Sequence, residues 1–159
     1  MKIYTLSRKQ VLPISLEEAW NFFSTPANLS KITPGHMGFK IKYQSGGQKM
    51  YPGQLIRYVV YGLPGIPMNW VTEITHVSEP NYFVDEQRFG PYALWHHQHH
   101  FTEVEDGVEM QDEVNYAIPF GFLGRIVNLL FVEREVNRIF EHRYQVLEEY
   151  FKQQVKLTV

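Results

Sequence analysis

Cysteine is absent from this chain of 159 residues, which excludes disulfide bonds, thiol nucleophiles and thiolate metal centres together. Basic residues are also few and scattered. Fifteen Lys and Arg stand against 17 Asp and Glu, a net charge of −2, so the basic patch of a nucleic-acid binder is missing. No apolar run approaches the ~20 residues that a membrane-spanning helix needs, and stable membrane insertion is not expected. Met1-Lys2-Ile3-Tyr4 opens directly into alternating sequence without the apolar core of a signal peptide, and the cytoplasm is the expected location. No internal repeat or low-complexity tract divides the chain, so residues 1–159 are expected to form a single domain.

Aromatic side chains, by contrast, are plentiful. They make up 15% of the residues, with ten Tyr and eleven Phe, more than a core of this size requires. Aromatics favour strands and also line apolar pockets. Hydrophobic residues at 44% and charged residues at 20% are otherwise those of a globular domain.

The alternation from Ile3 to Val11 predicts a strand, ended by Pro13. Ser15-Leu16-Glu17-Glu18 then has the form of a capping box and opens a short amphipathic helix through Phe23, in which the Ser15 hydroxyl accepts from a first-turn amide and Glu18 reaches back. Pro26 breaks that helix, and Ala27 to Ile32 supply a second short one before Thr33-Pro34-Gly35. Six strand-like stretches follow: Phe39 to Tyr43, Gln54 to Tyr61, Met68 to Val77, Tyr82 to Phe89, Ala93 to Val104 and Val108 to Ile118. Turn chemistry separates them, Asp106-Gly107 giving the sharpest hairpin signal. Beyond Pro119-Phe120-Gly121 the period becomes helical from Leu123 to about Gln153, with Ile126, Leu129, Leu130, Val136, Ile139, Phe140, Val146, Leu147, Tyr150 and Phe151 recurring as one stripe. That pattern predicts one long helix. Its ~45 Å suits the diagonal of a curved sheet.

This order of strand, two short helices, six strands and a long helix, over nearly the whole chain, resembles the START-like (SRPBCC) superfamily, the polyketide cyclase/dehydrase and lipid-transport family. The most specific stretch is Phe89-Gly90-Pro91-Tyr92-Ala93-Leu94-Trp95-His96-His97-Gln98-His99-His100-Phe101, which is similar to the G-P-Y-x-x-W-x-H-x-H-x-F of a bacterial subgroup. Trp70, the Asp85-Glu86-Gln87 strand, Asp112 to Tyr116 running into Pro119-Phe120-Gly121, and Phe140-Glu141-His142-Arg143 carry the likeness further. The resemblance implies an α+β helix-grip fold: a curved seven-stranded antiparallel sheet, two short helices and a long C-terminal helix. It also implies a cavity between sheet and helix, which different members use for lipids, sterols, polyketides or other hydrophobic metabolites. Some members are enzymes and many only bind, so function has to be argued from the site.

Strand alternation places Trp95, His97, His99 and Phe101 on one face of the histidine-rich strand and His96, Gln98, His100 and Thr102 on the other. The face with the bulky aromatics is expected to be concave. By the same parity Phe83, Asp85, Gln87 and Phe89 group on the strand before, and Met110, Asp112, Val114 and Tyr116 on the strand after. Asp85, Gln87, His97, His99 and Asp112 thereby share one inner surface. A buried carboxylate needs a partner and histidine is a natural one. The cluster therefore either anchors a ligand's polar end, or works as a His–Asp acid–base pair, or only braces the sheet. His-x-His with Asp85 or Asp112 also has spacing that admits zinc; the missing cysteine and the metal-free habit of the superfamily weigh against it, and no metal or cofactor is expected. Arg143, near the apolar stripe of the long helix, either reaches a cavity carboxylate or lays its stem over apolar surface with its head in water.

Trp70, Trp95, Phe101, Tyr116 and Phe140 are the expected walls, although Trp70, like Trp20 and Phe22, also reads as core. Gly62-Leu63-Pro64-Gly65-Ile66-Pro67 reads as an apolar loop that either gates the cavity mouth or is a rigid turn. The leading expectation is binding or carriage of a small hydrophobic molecule or lipid with one polar end. A cyclase- or dehydratase-type enzyme using His97 or His99 with Asp85 or Asp112, and a protein-interaction module using the outer sheet face, are the alternatives.

Overall fold

The computed structural model describes residues 1–61 and 65–158. Strand β1 (Tyr4–Leu12) is followed by α1 (Leu16–Phe23), a 3-10 turn (Pro26–Asn28), α2 (Leu29–Ile32) and a second 3-10 turn (Gly35–Met37). Strands β2 (Lys40–Gln44), β3 (Gln54–Tyr61), β4 (Pro67–Ser78), β5 (Tyr82–Phe89), β6 (Leu94–Val104) and β7 (Gly107–Ala117) come next. The chain ends in α3 (Gly121–Val127), a π turn (Asn128–Val132) and α4 (Glu133–Thr158). All seven strands form one antiparallel sheet in the order β1-β7-β6-β5-β4-β3-β2. This is the helix-grip architecture expected from the sequence. The apolar loop falls partly outside the described residues, which omit 62–64.

Local chemistry starts the elements where the sequence predicts. The capping box is made: the Ser15 amide donates to Glu18 Oε2 at 2.9 Å and the Glu18 amide to Ser15 Oγ at 3.2 Å, satisfying two amides that the first turn otherwise leaves unpaired. At the β6–β7 hairpin Gly107 has φ +132°. A Cβ there would collide with the Leu12 carbonyl oxygen, so both conformation and space call for glycine. Register shifts between Ile41 and Tyr43, Val71 and Thr72, and Ile74 and His76 bend the sheet, because an extra residue on one strand increases local twist.

Against the concave face, α1 inserts Trp20 and Phe23 beside Phe83 and Phe101, and α4 closes the same core with Leu147 and Phe151. Among the described side chains, the buried positions of α4 are Val136, Phe140, Arg143, Leu147 and Phe151, spaced 4, 3, 4 and 4 residues, the stripe of a helix lying on a sheet. The expectation of a single stripe beginning at Leu123 is corrected here. Phe122, Leu123, Ile126, Leu129 and Leu130 are exposed, and Gly124 is the only buried residue of α3. The π turn adds a residue between the two helical stretches and rotates these side chains away from the face that α4 buries. Among the described residues, no helix is long and apolar enough to cross a membrane.

Replacing Gly107 with Ala forces a left-handed residue against the Leu12 carbonyl and is expected to cost more than about 2 kcal/mol, whereas Ser15→Ala removes only the cap and costs about 1 kcal/mol. Urea denaturation of the two variants measures both. A Gly107→Ala midpoint equal to that of the parent would show that the hairpin relaxes freely.

Candidate functional site

The register of the three central strands assembles the polar cluster. Asp85 on β5 lies directly opposite His97 on β6, and His99 on β6 lies directly opposite Asp112 on β7. His97 and His99 are two residues apart and share a face, so each carboxylate meets one imidazole across the strand and the other on the diagonal. Asp85 Oδ2 stands 2.9 Å from His99 Nε2 and 3.3 Å from His97 Nδ1. Asp112 Oδ1 stands 2.9 Å from both His97 Nε2 and His99 Nδ1. The two imidazoles, with centroids 3.7 Å apart, thus lie side by side between two carboxylates. Arg143 approaches from α4, its Nη2 3.4 Å from Asp112 Oδ1.

Aromatic rings pack the cluster. Phe83 stacks on His99 at 4.1 Å between centroids, Phe140 meets His97 edge-on at 5.5 Å, and the Arg143 guanidinium lies near the rings of Phe23 and Phe140. His97, His99, Asp112 and Arg143 are all buried. Burial by itself would raise both carboxyl pKa values. It is outweighed at Asp85 by the charge of His97 and the bonds from both histidines, and at Asp112 by the charge of Arg143 and the same imidazoles, so both carboxyls are held well below their usual range. The histidines separate. Burial opposes a charge on each, yet the two carboxylates prevail at His97 and raise its pKa, while at His99 burial and then the His97 charge lower it. One imidazolium at His97 with Arg143 balances the two carboxylates, and the buried group is neutral as a whole.

Beside this cluster lies a cavity of about 180 Å³, bordered by Asp85, His97, His99 and Arg143 on its polar side. An apolar cavity of about 150 Å³ already admits a benzene ring. Apolar and aromatic side chains supply the other walls: Ile56, Tyr58 and Val60 of β3, Trp70 and Ile74 of β4, Tyr92 and Trp95, Phe22 and Phe23, Ile32, and Ile139 and Phe140. Trp70 meets Trp95 edge-on at 5.3 Å, and Tyr92 packs on Trp95 at 4.8 Å. The Tyr58 hydroxyl is 2.9 Å from Thr72 Oγ1; burial first and the Asp85 charge second push its pKa up. Two cavity-lining residues carry buried N–H groups, Trp70 Nε1 and Arg143 Nε, with no hydrogen-bond partner among the described residues.

Of the residues singled out in the sequence, Trp70, Asp85, Trp95, His97, His99, Phe140 and Arg143 border this cavity. Asp112 stands behind the imidazoles. Gln87 is turned aside: its amide donates to the Tyr92 carbonyl at 2.7 Å and accepts from the Tyr92 amide at 3.2 Å, closing the Gly90-Pro91 turn. Phe101 faces inward but is used in the core against Trp20 and Phe23, because α1 covers that end of β6. Tyr116 stacks on Tyr4 at 5.5 Å. Phe89 is exposed, the inner parity of β5 being lost where the strand ends. On the outer face His96 bonds Glu86 at 2.7 Å and His100 stacks on Tyr82. Sequence reasoning misses Tyr58 and its neighbours on β3, although the alternation of Ile56, Tyr58 and Val60 is the signal that marks them.

No protein-family model matches the chain, nor does any curated protein. Solved structures do match. TTHA0849 from Thermus thermophilus is 13% identical over 95% of this chain and 99% of its own, with a TM-score of 0.69. Ara h 8.0201 is 12% identical over 96% of this chain and 99% of its own, with a TM-score of 0.64. The di-domain ARO/CYC StfQ of the steffimycin biosynthetic pathway is 8% identical, with a TM-score of 0.71; the likeness covers 97% of this chain and 52% of that one. At such identities the likeness concerns the fold alone, and it agrees with the helix-grip architecture described above.

Proposed function

We propose that this chain binds a small, mainly apolar molecule with one polar end, held in the cavity between the curved sheet and α4. The observation that carries the reading is the asymmetry of that cavity: aromatic and aliphatic walls on most sides, and on one side the polar group of Asp85, His97, His99 and Arg143. Apolar walls provide the burial that drives binding, and a few placed polar groups orient the ligand. The donors on that side, the Arg143 guanidinium and the imidazoles, define the complement. Such cationic and N–H groups suit an acceptor, so the polar end is a carbonyl or carboxylate. The likeness to the bacterial START-like subgroup and the ARO/CYC neighbour support a hydrophobic molecule of the lipid or polyketide kind.

Native mass spectrometry of the purified chain, with thermal shift against lipid and polyketide libraries, tests the reading. A retained small molecule, or a library member that raises the melting temperature, is expected; neither appearing would remove its support. Binding is also expected to quench Trp70 and Trp95 fluorescence. Val60→Phe fills the cavity from its sheet wall and is expected to weaken ligand binding at least 10-fold without unfolding the chain. Arg143→Met should weaken a carboxylate ligand about 10-fold more than its apolar analogue, since charged hydrogen bonds contribute about 1.5–3 kcal/mol. Exchanging both His97 and His99 for Gln separates carriage from a cyclase- or dehydratase-type reaction: a carrier keeps most of its affinity, whereas an enzyme loses turnover.

A further inference from the structure

We propose that Asp85, His97 and His99 form a site for a single divalent transition-metal cation, zinc being the best match, with its open coordination position facing the cavity. This goes beyond the binding function proposed above and stands without it. The sequence spacing admits a metal, and it is the missing cysteine and the metal-free habit of the superfamily that weigh against one. Imidazole and carboxylate nevertheless suffice for zinc when three of them converge.

The donor atoms converge. Asp85 Oδ2 lies 3.3 Å from His97 Nδ1 and 2.9 Å from His99 Nε2, and the ligand atoms of the three residues all lie within 4.8 Å of one another. Bonds of about 2.0–2.1 Å in a tetrahedron put neighbouring ligand atoms about 3.3 Å apart; Asp85 already meets that spacing to His97 and falls a few tenths of an ångström short of it to His99, and rotation of the two rings adjusts the remaining pair. The ring nitrogens on the far side of both histidines are already engaged. His97 Nε2 and His99 Nδ1 each stand 2.9 Å from Asp112 Oδ1, and a carboxylate there fixes the tautomer and orientation of a metal-bound imidazole. Arg143 is paired with this outer carboxylate at 3.4 Å and balances its charge.

Charge and access agree. Among the described residues, Asp85 has no cationic partner besides the imidazoles, so a cation seated here displaces the proton of His97 and takes over its place in the charge balance. Asp85, His97 and His99 border the cavity while Asp112 does not. The inner three therefore act as ligands and Asp112 as their support. Three protein ligands leave a fourth position toward the cavity, open to water or to the oxygen of a bound molecule.

The test uses the full chain after chelator treatment, titrated with Zn²⁺ by calorimetry and with Co²⁺ by visible absorption, with no organic ligand present. One equivalent of Zn²⁺ with a Kd below about 10 μM, and cobalt bands of tetrahedral intensity, are expected. Asp85→Asn and His99→Gln should each weaken Zn²⁺ more than 100-fold. Asp112→Asn should weaken it about 10–100-fold, and His96→Gln on the outer face should leave it unchanged. A Kd above that limit, or binding indifferent to Asp85→Asn and His99→Gln, overturns the site. Should those variants not fold, imidazole NMR signals of the parent chain decide: Zn²⁺ must shift His97 and His99 and spare His96, and any other pattern overturns the proposal. Because no organic ligand is present, failure here leaves the cavity-binding reading intact.

Discussion

Two carboxylates on the concave face of the sheet set the conditions for what surrounds them. An ion moved out of water loses several kcal/mol of solvation even after the protein relaxes, so Asp85 and Asp112 persist there only with partners in good geometry. Both imidazoles touch both carboxylates, and Arg143 supplies the charge that a single protonated histidine leaves unmatched. Each member is held by at least two others. Removing either carboxylate, Arg143 or the His97 imidazolium strands a buried charge, which makes this group a stiff brace across β5, β6 and β7 and a fixed point for α4.

The position of α4 follows from that fixed point. Arg143 ties the middle of the helix to Asp112, while Arg8 bonds Asn137 at 2.7 Å and Gln10 bonds the Tyr144 carbonyl at 3.0 Å. These contacts lie along β1 and β7, at one edge of the sheet. The helix is thereby committed to that side. Elsewhere α1 covers β6 and β7 and the turn after α2 reaches β3, and the cavity occupies the space between these elements, α4 and the sheet. One polar group therefore anchors the helix and forms the polar side of the cavity, and the two roles share residues because they share a place.

Much of this was legible because strands enforce a period of two. Trp95, His97, His99 and Phe101 had to share a face, and an antiparallel neighbour on each side had to bring its own inward residues alongside, which placed Asp85 and Asp112 with the histidines. Parity does not say how far the cavity extends along that face. Phe101 obeys it yet serves the core under α1, and Tyr116 obeys it yet stacks on Tyr4. Gln87 shows a different limit: its amide is used by the backbone of Tyr92, a local bond that overrides the direction set by the strand. The convergence of three donor atoms on one point depends on register and rotamers together, and neither can be read from a His-x-His spacing.

The C-terminal helix marks the sharpest departure, and its cause is a single turn. In an uninterrupted α-helix Leu129 would lie two turns before Val136 and close to the same face, as Val136 lies two turns before Arg143. The pattern thus reads as one stripe. The π turn at Asn128–Val132 advances the phase by about 100° per added residue, so α4 keeps its apolar face on the sheet while α3 turns its own outward. Nothing in apolar spacing reports such an insertion, since both halves remain periodic. The chemistry around it is more telling. A Cβ on Gly124 would collide with the Pro119 carbonyl oxygen, so α3 is pressed close to the end of β7 by backbone contact, a placement that leaves its large side chains no sheet to face.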